Sequence, residues 1–161
     1  MMKTGTKTSA VVRSLLVGFC IVAPARVALN ASVISTQEIA FGAIVSSGTS
    51  GGTVTVTPAG SRSCSLGLTC IPQSVAHPAR FSVSGDPFMN FVISLPVTAT
   101  LASGGGSSMD VDGFEVSLPG GSGTLSSTGQ ASFTVGAMLH VEPGQPADAY
   151  SGTFTVMVGY Q

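Results

Sequence analysis

The feature that most constrains the fold is a strict alternation of apolar and polar residues. It is clearest over residues 150–160, where the even positions apart from Gly152 are Tyr, Phe or Val and the odd positions are mostly Ser or Thr. Successive side chains of a β-strand point to opposite faces, so a period of two predicts a half-buried antiparallel strand. We therefore expect one closing strand over residues 150–160, with Tyr150 and Tyr160 packed in the core.

The same alternation recurs through most of the chain. Runs of period two occupy residues 53–57, 80–84, 90–95, 109–118 and 133–141. In the fourth run the apolar parity changes at Asp112-Gly113, which predicts a β-bulge there.

Segments rich in glycine, proline and serine separate these runs. The two richest in glycine, 103–108 and 119–123, each join predicted strands, and we interpret both as long hairpin loops. Short alternating strands spaced by such turns are typical of a sandwich. The sequence predicts an all-β fold, a single immunoglobulin-like antiparallel β-sandwich of about seven to nine strands.

The N-terminus has the parts of a secretory signal. Basic residues precede an apolar run over residues 15–23, and a small-x-small site ends at Ala25. The nine residues of that run fall short of the roughly 20 needed to cross a bilayer. We predict a signal peptide over residues 1–25 and an exported protein (periplasm, cell surface or extracellular) with no membrane span after cleavage. Cys20 would leave with the signal.

The charge that remains after cleavage is low. Residues 26–161 contain three arginines and no lysine against seven acidic residues, which gives a formal charge of −4. Nucleic-acid binding needs a basic surface, so we expect no nucleic-acid partner. The chain is 43% apolar, which leaves enough surface to bury to exclude a disordered protein.

Two cysteines, Cys64 and Cys70, remain after cleavage. In an oxidising compartment such a pair predicts a disulfide. One straight strand would hold the sulfur atoms too far apart, so the chain must turn near Gly67. Closing so short a loop stabilises by about 2 kcal/mol, and we expect the bridge to pin a hairpin. A zinc site is disfavoured because no further Cys or His lies nearby in the sequence.

No group of residues predicts catalysis. Ser50 lies in a G-x-S-x-G match over residues 48–52, but the nucleophile elbow needs a helix after the serine and a predicted strand follows here. His77 and His140 lie in unrelated segments and are interpreted as solvated side chains. We therefore predict a protein that is not an enzyme and has no cofactor.

A weak metal candidate is the acidic group Asp110, Asp112 and Glu115. Oxygen ligands at this density suit Ca²⁺. No calcium-loop motif accompanies them, and the alternative is a solvated strand end beside the bulge.

Several segments of the chain resemble a family of bacterial secreted proteins, DUF4402. The resemblance covers residues 38–161 and rests on the segments 40–44 (AFGAI), 52–60 (GTVTVTPAG), 81–85 (FSVSG), 133–137 (FTVGA) and 150–156 (YSGTFTV), with Arg62 and the spaced residues Met109, Val111 and Phe114. The cysteine pair departs from the pattern of that family.

The closing strand is also similar to the C-terminus of spore-coat-protein-U-type pilus subunits of archaic chaperone–usher systems. That resemblance covers about a dozen residues. It implies a fimbrial or surface-structural role and a periplasmic chaperone as a partner.

The resulting expectation is an exported structural subunit of a surface appendage or coat that associates with identical or related subunits. Open sheet edges are normally protected from pairing by lysine, proline or inward charges, and lysine is absent after cleavage. We therefore expect something else to cover the edges of this sandwich. The alternative is a monomeric carbohydrate-binding or adhesive module that binds through loops such as 103–108. The absence of tryptophan counts against that alternative.

Residues 26–37 form an N-terminal extension ahead of a sandwich domain over 38–161. Val27, Leu29, Ala31 and Val33 share one parity, so this peptide could add as a strand to the open sheet edge of a neighbour. Two alternatives remain, a frayed tail or the first strand of the domain itself.

Overall fold

The computed structural model describes residues 32–161 with the exception of Leu66, and this part of the chain is an antiparallel β-sandwich. Its thirteen strands are short, and the only helical element among the described residues is a 3₁₀ turn at Pro119–Gly121. The strands are β1 Ser32–Gln37, β2 Ile44–Ser46, β3 Gly52–Val56, β4 Arg62–Cys64, β5 Leu68–Cys70, β6 Ala79–Ser84, β7 Asn90–Ser94, β8 Ala99–Ser103, β9 Ser108–Val116, β10 Ser122–Thr124, β11 Gln130–Val141, β12 Tyr150–Ser151 and β13 Met157–Tyr160.

The main sheet is organised around β11. The first half of β11 pairs with β6, from Gln130 opposite Ser84 to Val135 opposite Ala79. The second half pairs with β3 on the same side, and β9 pairs with the other side. The strand order is β1-β6-β11-β9-β8-β12, with β3 and β4 continuing the sheet from β11.

Two smaller sheets complete the structure. One has the order β10-β7-β13, and the other is the pair β2-β5. No helix long and apolar enough to cross a membrane occurs among residues 32–161.

Three aromatic rings occupy the centre of the core. Phe81 on β6 stacks on Phe133 of β11 at 5.1 Å between ring centroids and meets Phe154 edge to face at 6.3 Å. Phe154 in turn contacts Phe114 of β9 at 5.0 Å. All positions with the apolar parity of β6 and β11 that the sequence assigned to the core are buried. The alternation therefore located the core correctly.

The predicted bulge is confirmed. Residues Asp112 and Glu115 of β9 lie opposite Met138 and Gly136 of β11, so two residues of β9 face one residue of β11. Gly113 has a positive φ of 56°, a conformation that costs glycine little. The bulge lets both halves of β9 turn their apolar residues to the core.

The closing strand differs from its prediction. Burial alternates over residues 150–160 as expected, but the segment forms two strands. Tyr150 and Ser151 pair with β8 in the main sheet, whereas residues 157–160 pair with β7 in the three-stranded sheet. A strand that changes sheet at a corner of a sandwich keeps its inward parity, which is why the sequence pattern did not reveal the break.

The two glycine-rich loops have different roles. Residues 104–107 join β8 to β9 in a hairpin, as predicted. Residues 117–121 instead carry the chain from β9 to β10, which lies in another sheet, so the prediction of a hairpin over 119–123 was wrong. Glycine content indicates a turn but does not reveal which sheet the chain enters next.

The described part of the N-terminal extension is the first strand of the domain. Residues 32–37 pair with β6, with Val33 opposite Val83, so the sheet begins before the expected boundary at 38. Val27, Leu29 and Ala31 lie outside the described residues, as do the predicted signal peptide and Cys20.

The aromatic core supports a test with a matched control. We predict that Phe81→Ala lowers the free energy of unfolding by about 3–5 kcal/mol, because the ring is fully buried between two others. Phe88→Ala removes the same kind of ring from a site that is 69% exposed, and it should change the free energy of unfolding by less than about 0.5 kcal/mol. Alanine keeps the Cβ of Phe88, so its left-handed backbone (φ 63°) is unaltered. Urea denaturation measures both, and equal losses would contradict the packing described here.

Candidate functional site

A large apolar cleft opens on the inner face of the main sheet. Its volume is about 710 Å³, within the range of clefts that hold ligands. Four side chains of the main sheet form its floor, namely Leu101 of β8, Met109 of β9, and Leu139 and Val141 of β11. Leu101, Leu139 and Val141 are buried, so neighbouring segments already cover most of this floor.

The free edge of β2 forms one wall of this cleft. Residues 40–46 line it, whereas the described residues of β5, on the other side of β2, do not. Ser47 N–H donates to the Gly67 carbonyl and Ile71 N–H donates to the Ala43 carbonyl, so the odd-numbered residues of this segment bond towards β5. Backbone groups alternate in direction along an antiparallel strand, and those of Ile44 and Ser46 therefore point towards the cleft.

The loop over residues 145–150 supplies further lining. The hydroxyl of Tyr150 donates to the Pro146 carbonyl at 2.8 Å and accepts a hydrogen bond from Nε2 of Gln145 at 2.9 Å. Gln145 Nε2 also donates to the carbonyl of Ser108 at 3.0 Å. These bonds fix the loop against the start of β9. Tyr150 is buried, as the sequence predicted.

Asp148 is the one acidic residue that lines the cleft in the described part of the chain. Its carboxylate accepts hydrogen bonds from the N–H groups of Ala149 at 2.7 Å and Gly105 at 3.3 Å. Hydrogen bonds from Ala149, then Ser103 and Gly105, lower the pKa of this carboxyl below its usual value near 3.8. The charged form thus ties the cleft loop to the β8–β9 hairpin.

The wall that carries β2 is held by Arg62 of β4. Its guanidinium donates to the carbonyls of Ile71 at 2.6 Å and Phe41 at 3.2 Å and to the hydroxyl of Ser74 at 2.8 Å. Charge-assisted hydrogen bonds of this kind are stronger than neutral ones. Arg62 therefore fastens both segments that flank the β2-β5 pair to the main sheet.

Cys64 and Cys70 lie at disulfide distance, with Cα atoms 5.8 Å apart. The chain turns between them at Gly67, whose φ is 93°, as the sequence predicted. The predicted hairpin is wrong, however, because Cys64 on β4 pairs with β3 and Cys70 on β5 pairs with β2. The bridge therefore links the main sheet to the two-stranded sheet. This role could not be predicted from the sequence, because it depends on which sheet each strand belongs to.

The weak metal candidate is dispersed. Asp112 bonds His140, with 2.8 Å between Oδ1 and Nε2, while Asp110 accepts a hydrogen bond from the hydroxyl of Thr100 at 3.2 Å. Within residues 32–161 no three His, Cys, Asp or Glu side chains, Glu115 included, lie close enough together to hold a metal ion. The side chain of His140 is 37% exposed, and because β9 and β11 are neighbours it also lies beside Asp112, a partner that the sequence does not reveal.

Ser50 and His77 do not come together. Ser50 is exposed in the loop before β3, which is a strand as expected. His77 lines the cleft and forms an isolated backbone bridge with Ala40. The cleft itself was missed by the sequence reasoning, because its floor residues have the same apolar parity as the closed core.

The comparison with known families matches almost all of the described residues. The family described as "Domain of unknown function (DUF4402)" matches residues 32–160. The chain belongs to the DUF4402 family. No curated protein and no solved structure matches it. The match begins at the first residue of β1, so the DUF4402 domain includes the strand that the sequence had placed in an extension.

We predict that the DUF4402 domain, kept in an oxidising compartment, contains no free thiol at Cys64 or Cys70, because the pair is within bonding distance. Replacing both cysteines by alanine should lower the free energy of unfolding by about 2 kcal/mol through the loss of a short-loop constraint. Thiol titration under denaturing, non-reducing conditions and urea denaturation measure these two effects. Two titratable thiols in protein from such a compartment would contradict the prediction.

A second prediction concerns the stability of the folded protein in acid. Because the folded pKa of Asp148 is lowered, its ionised form stabilises the fold above pH 4, and this stabilisation is lost as pH falls through the folded pKa. Asp148→Asn should therefore make stability less dependent on pH below about 4, the ordinary range of this carboxyl. Thermal unfolding of wild type and Asp148→Asn from pH 2 to 7 checks this prediction, and identical acid profiles for the two proteins would refute it.

Proposed function

We propose that the mature chain is an exported, non-enzymatic structural subunit of a bacterial surface appendage or coat, and that it assembles by strand addition. The observation that carries this proposal is the lack of charged residues on the edge strands of the three sheets, with the single exception of Arg62 on β4 among the described strands.

These edges can be identified strand by strand. Six edge strands contain no charged residue. They are β1 and β12, which end the main path, β10 and β13 of the three-stranded sheet, and the two strands of the pair β2-β5. On three of them a large apolar side chain is more than half exposed, namely Ile34 on β1, Val45 on β2 and Met157 on β13. Arg62 on β4 is engaged in hydrogen bonds to loop segments. Soluble sheets normally protect such edges with lysine, proline or inward charges, so these edges favour pairing with another chain.

Three further features support an exported subunit. The N-terminal sequence has the parts of a signal peptide, lysine is absent after residue 7, and the cysteine pair suits an oxidising compartment. Exposed strand edges would also need cover before assembly, which a periplasmic chaperone would supply. Among the described residues no group of three His, Cys, Asp or Glu side chains could hold a metal ion.

The test is the size of the mature protein prepared from a bacterial envelope. We expect its mass, measured by sedimentation over a wide concentration range, to rise through dimers and longer oligomers. A folded species that stays monomeric at every concentration would overturn the proposal. Binding of that monomer to a glycan array would then favour the carbohydrate-binding or adhesive module.

A further inference from the structure

The edge of β1 is the longest uncharged sheet edge among the described strands. β1 has six residues, whereas the other five uncharged edge strands have two to four. Natural sheets keep edge strands short as one protection against pairing with another chain. The length of β1 therefore makes it the edge most open to such pairing.

The hydrogen bonds of β6 show which backbone groups face β1. Gly85, which follows β6, donates its N–H to the carbonyl of Gly129 at 2.9 Å, so the odd-numbered residues of β6 bond towards β11. The even-numbered residues therefore bond towards β1. The carbonyl of Arg80 agrees with this alternation, because it accepts a hydrogen bond from the hydroxyl of Thr36 on β1 at 3.2 Å.

The same alternation assigns the free backbone groups of β1. Ile34 lies opposite Ser82, an even-numbered residue of β6, so the backbone groups of Ile34 bond to β6. Val33 and Ser35 flank Ile34, and their N–H and C=O groups therefore point away from β6, to the open side of the sheet.

The side chains of β1 are only partly covered at this edge. Ile34 is 55% exposed on the outer face of the sheet, where its neighbours Ser32, Thr36 and Ser82 are uncharged. Val33 on the inner face packs against the core but is only partly buried. A further strand along β1 would remove apolar surface of both Ile34 and Val33 from water, which is favourable.

This edge is complementary to a second copy of itself. When two β1 strands lie antiparallel about a two-fold axis at Ile34, Val33 of each chain faces Ser35 of the other. These are the residues whose backbone groups point outwards, so they form hydrogen-bonded pairs on both sides of the axis. The two Ile34 residues then face each other as a pair without mutual hydrogen bonds, with Cα atoms about 4.5 Å apart.

We infer that β1 pairs with β1 of a second copy in this register and joins the two main sheets into one. This inference rests on the proposed function, and it names the edge through which two subunits associate. A contact that uses the same surface on both copies closes on itself in a dimer. Longer assemblies of such dimers would use the other uncharged edges.

Cysteine variants of the mature chain test the register. Ile34→Cys places two thiols opposite each other across the axis, within the Cα range of a disulfide. Ser32→Cys is the control, because Ser32 is also exposed on β1 but lies two residues from the axis. Its two copies would be four residues apart, about 13 Å along the strands, which is too far for a disulfide.

After mild oxidation we expect Ile34→Cys to run as a covalent dimer on a non-reducing gel and Ser32→Cys to run as a monomer. Equal cross-linking of the two variants, or none with Ile34→Cys, would overturn the inference.

Charge variants test whether the axis passes through Ile34. Ile34→Lys and Ile34→Glu each place two like charges directly opposite each other, which destabilises a cross-strand pair. We expect each variant to sediment as a monomer where wild type forms dimers, and an equimolar mixture of the two to restore a dimer with one chain of each kind. Circular dichroism and urea denaturation establish that each variant is folded. A mixture that stays monomeric, or a folded Ile34→Lys protein that dimerises like wild type, would refute the pairing.

The two proposals fail in different ways. A wild type that stays monomeric at every concentration refutes the proposed function and this inference with it. A wild type that assembles, while Ile34→Cys does not cross-link and Ile34→Lys assembles equally well, refutes only this inference and shows that another edge makes the contact.

Discussion

The pairing of β11 with three other strands is the interaction on which the sandwich depends. Its twelve residues are long enough for β6 and β3 to pair end to end along one side while β9 pairs along the other. Gly136 makes this possible, because a Cβ at that position would meet the backbone of Val56 and Pro58 where β3 leaves the sheet. The two halves of β11 therefore carry two different parts of the structure.

The two halves of β11 have different surroundings. The first half carries Phe133, whose ring stacks on Phe81, and Phe81 in turn meets Phe154; Phe91 of the three-stranded sheet belongs to the same buried core. The second half carries the buried residues Leu139 and Val141, which lie at the floor of the cleft that residues 40–46 line.

The β2-β5 pair is too small to be stable alone, since isolated two-stranded units are at best marginally stable in water. Two connections to β4 hold it in place, the hydrogen bonds of Arg62 and the Cys64–Cys70 pair. These connections therefore fix the wall of the cleft to the main sheet.

The sequence alone determined the all-β class, the inward parity of β6, β9 and β11, the bulge at Gly113 and the turn at Gly67, because each follows from residues close together in the chain. The tertiary structure decided which strands are neighbours. It split residues 150–160 between two sheets, placed His140 beside Asp112 and made the cysteine pair a link between sheets. The cleft depends on the same long-range pairing, because Leu139 has the parity of a core residue whether or not another strand covers it. Periodicity records which face of a strand is apolar, and only the packing of distant segments determines what covers that face.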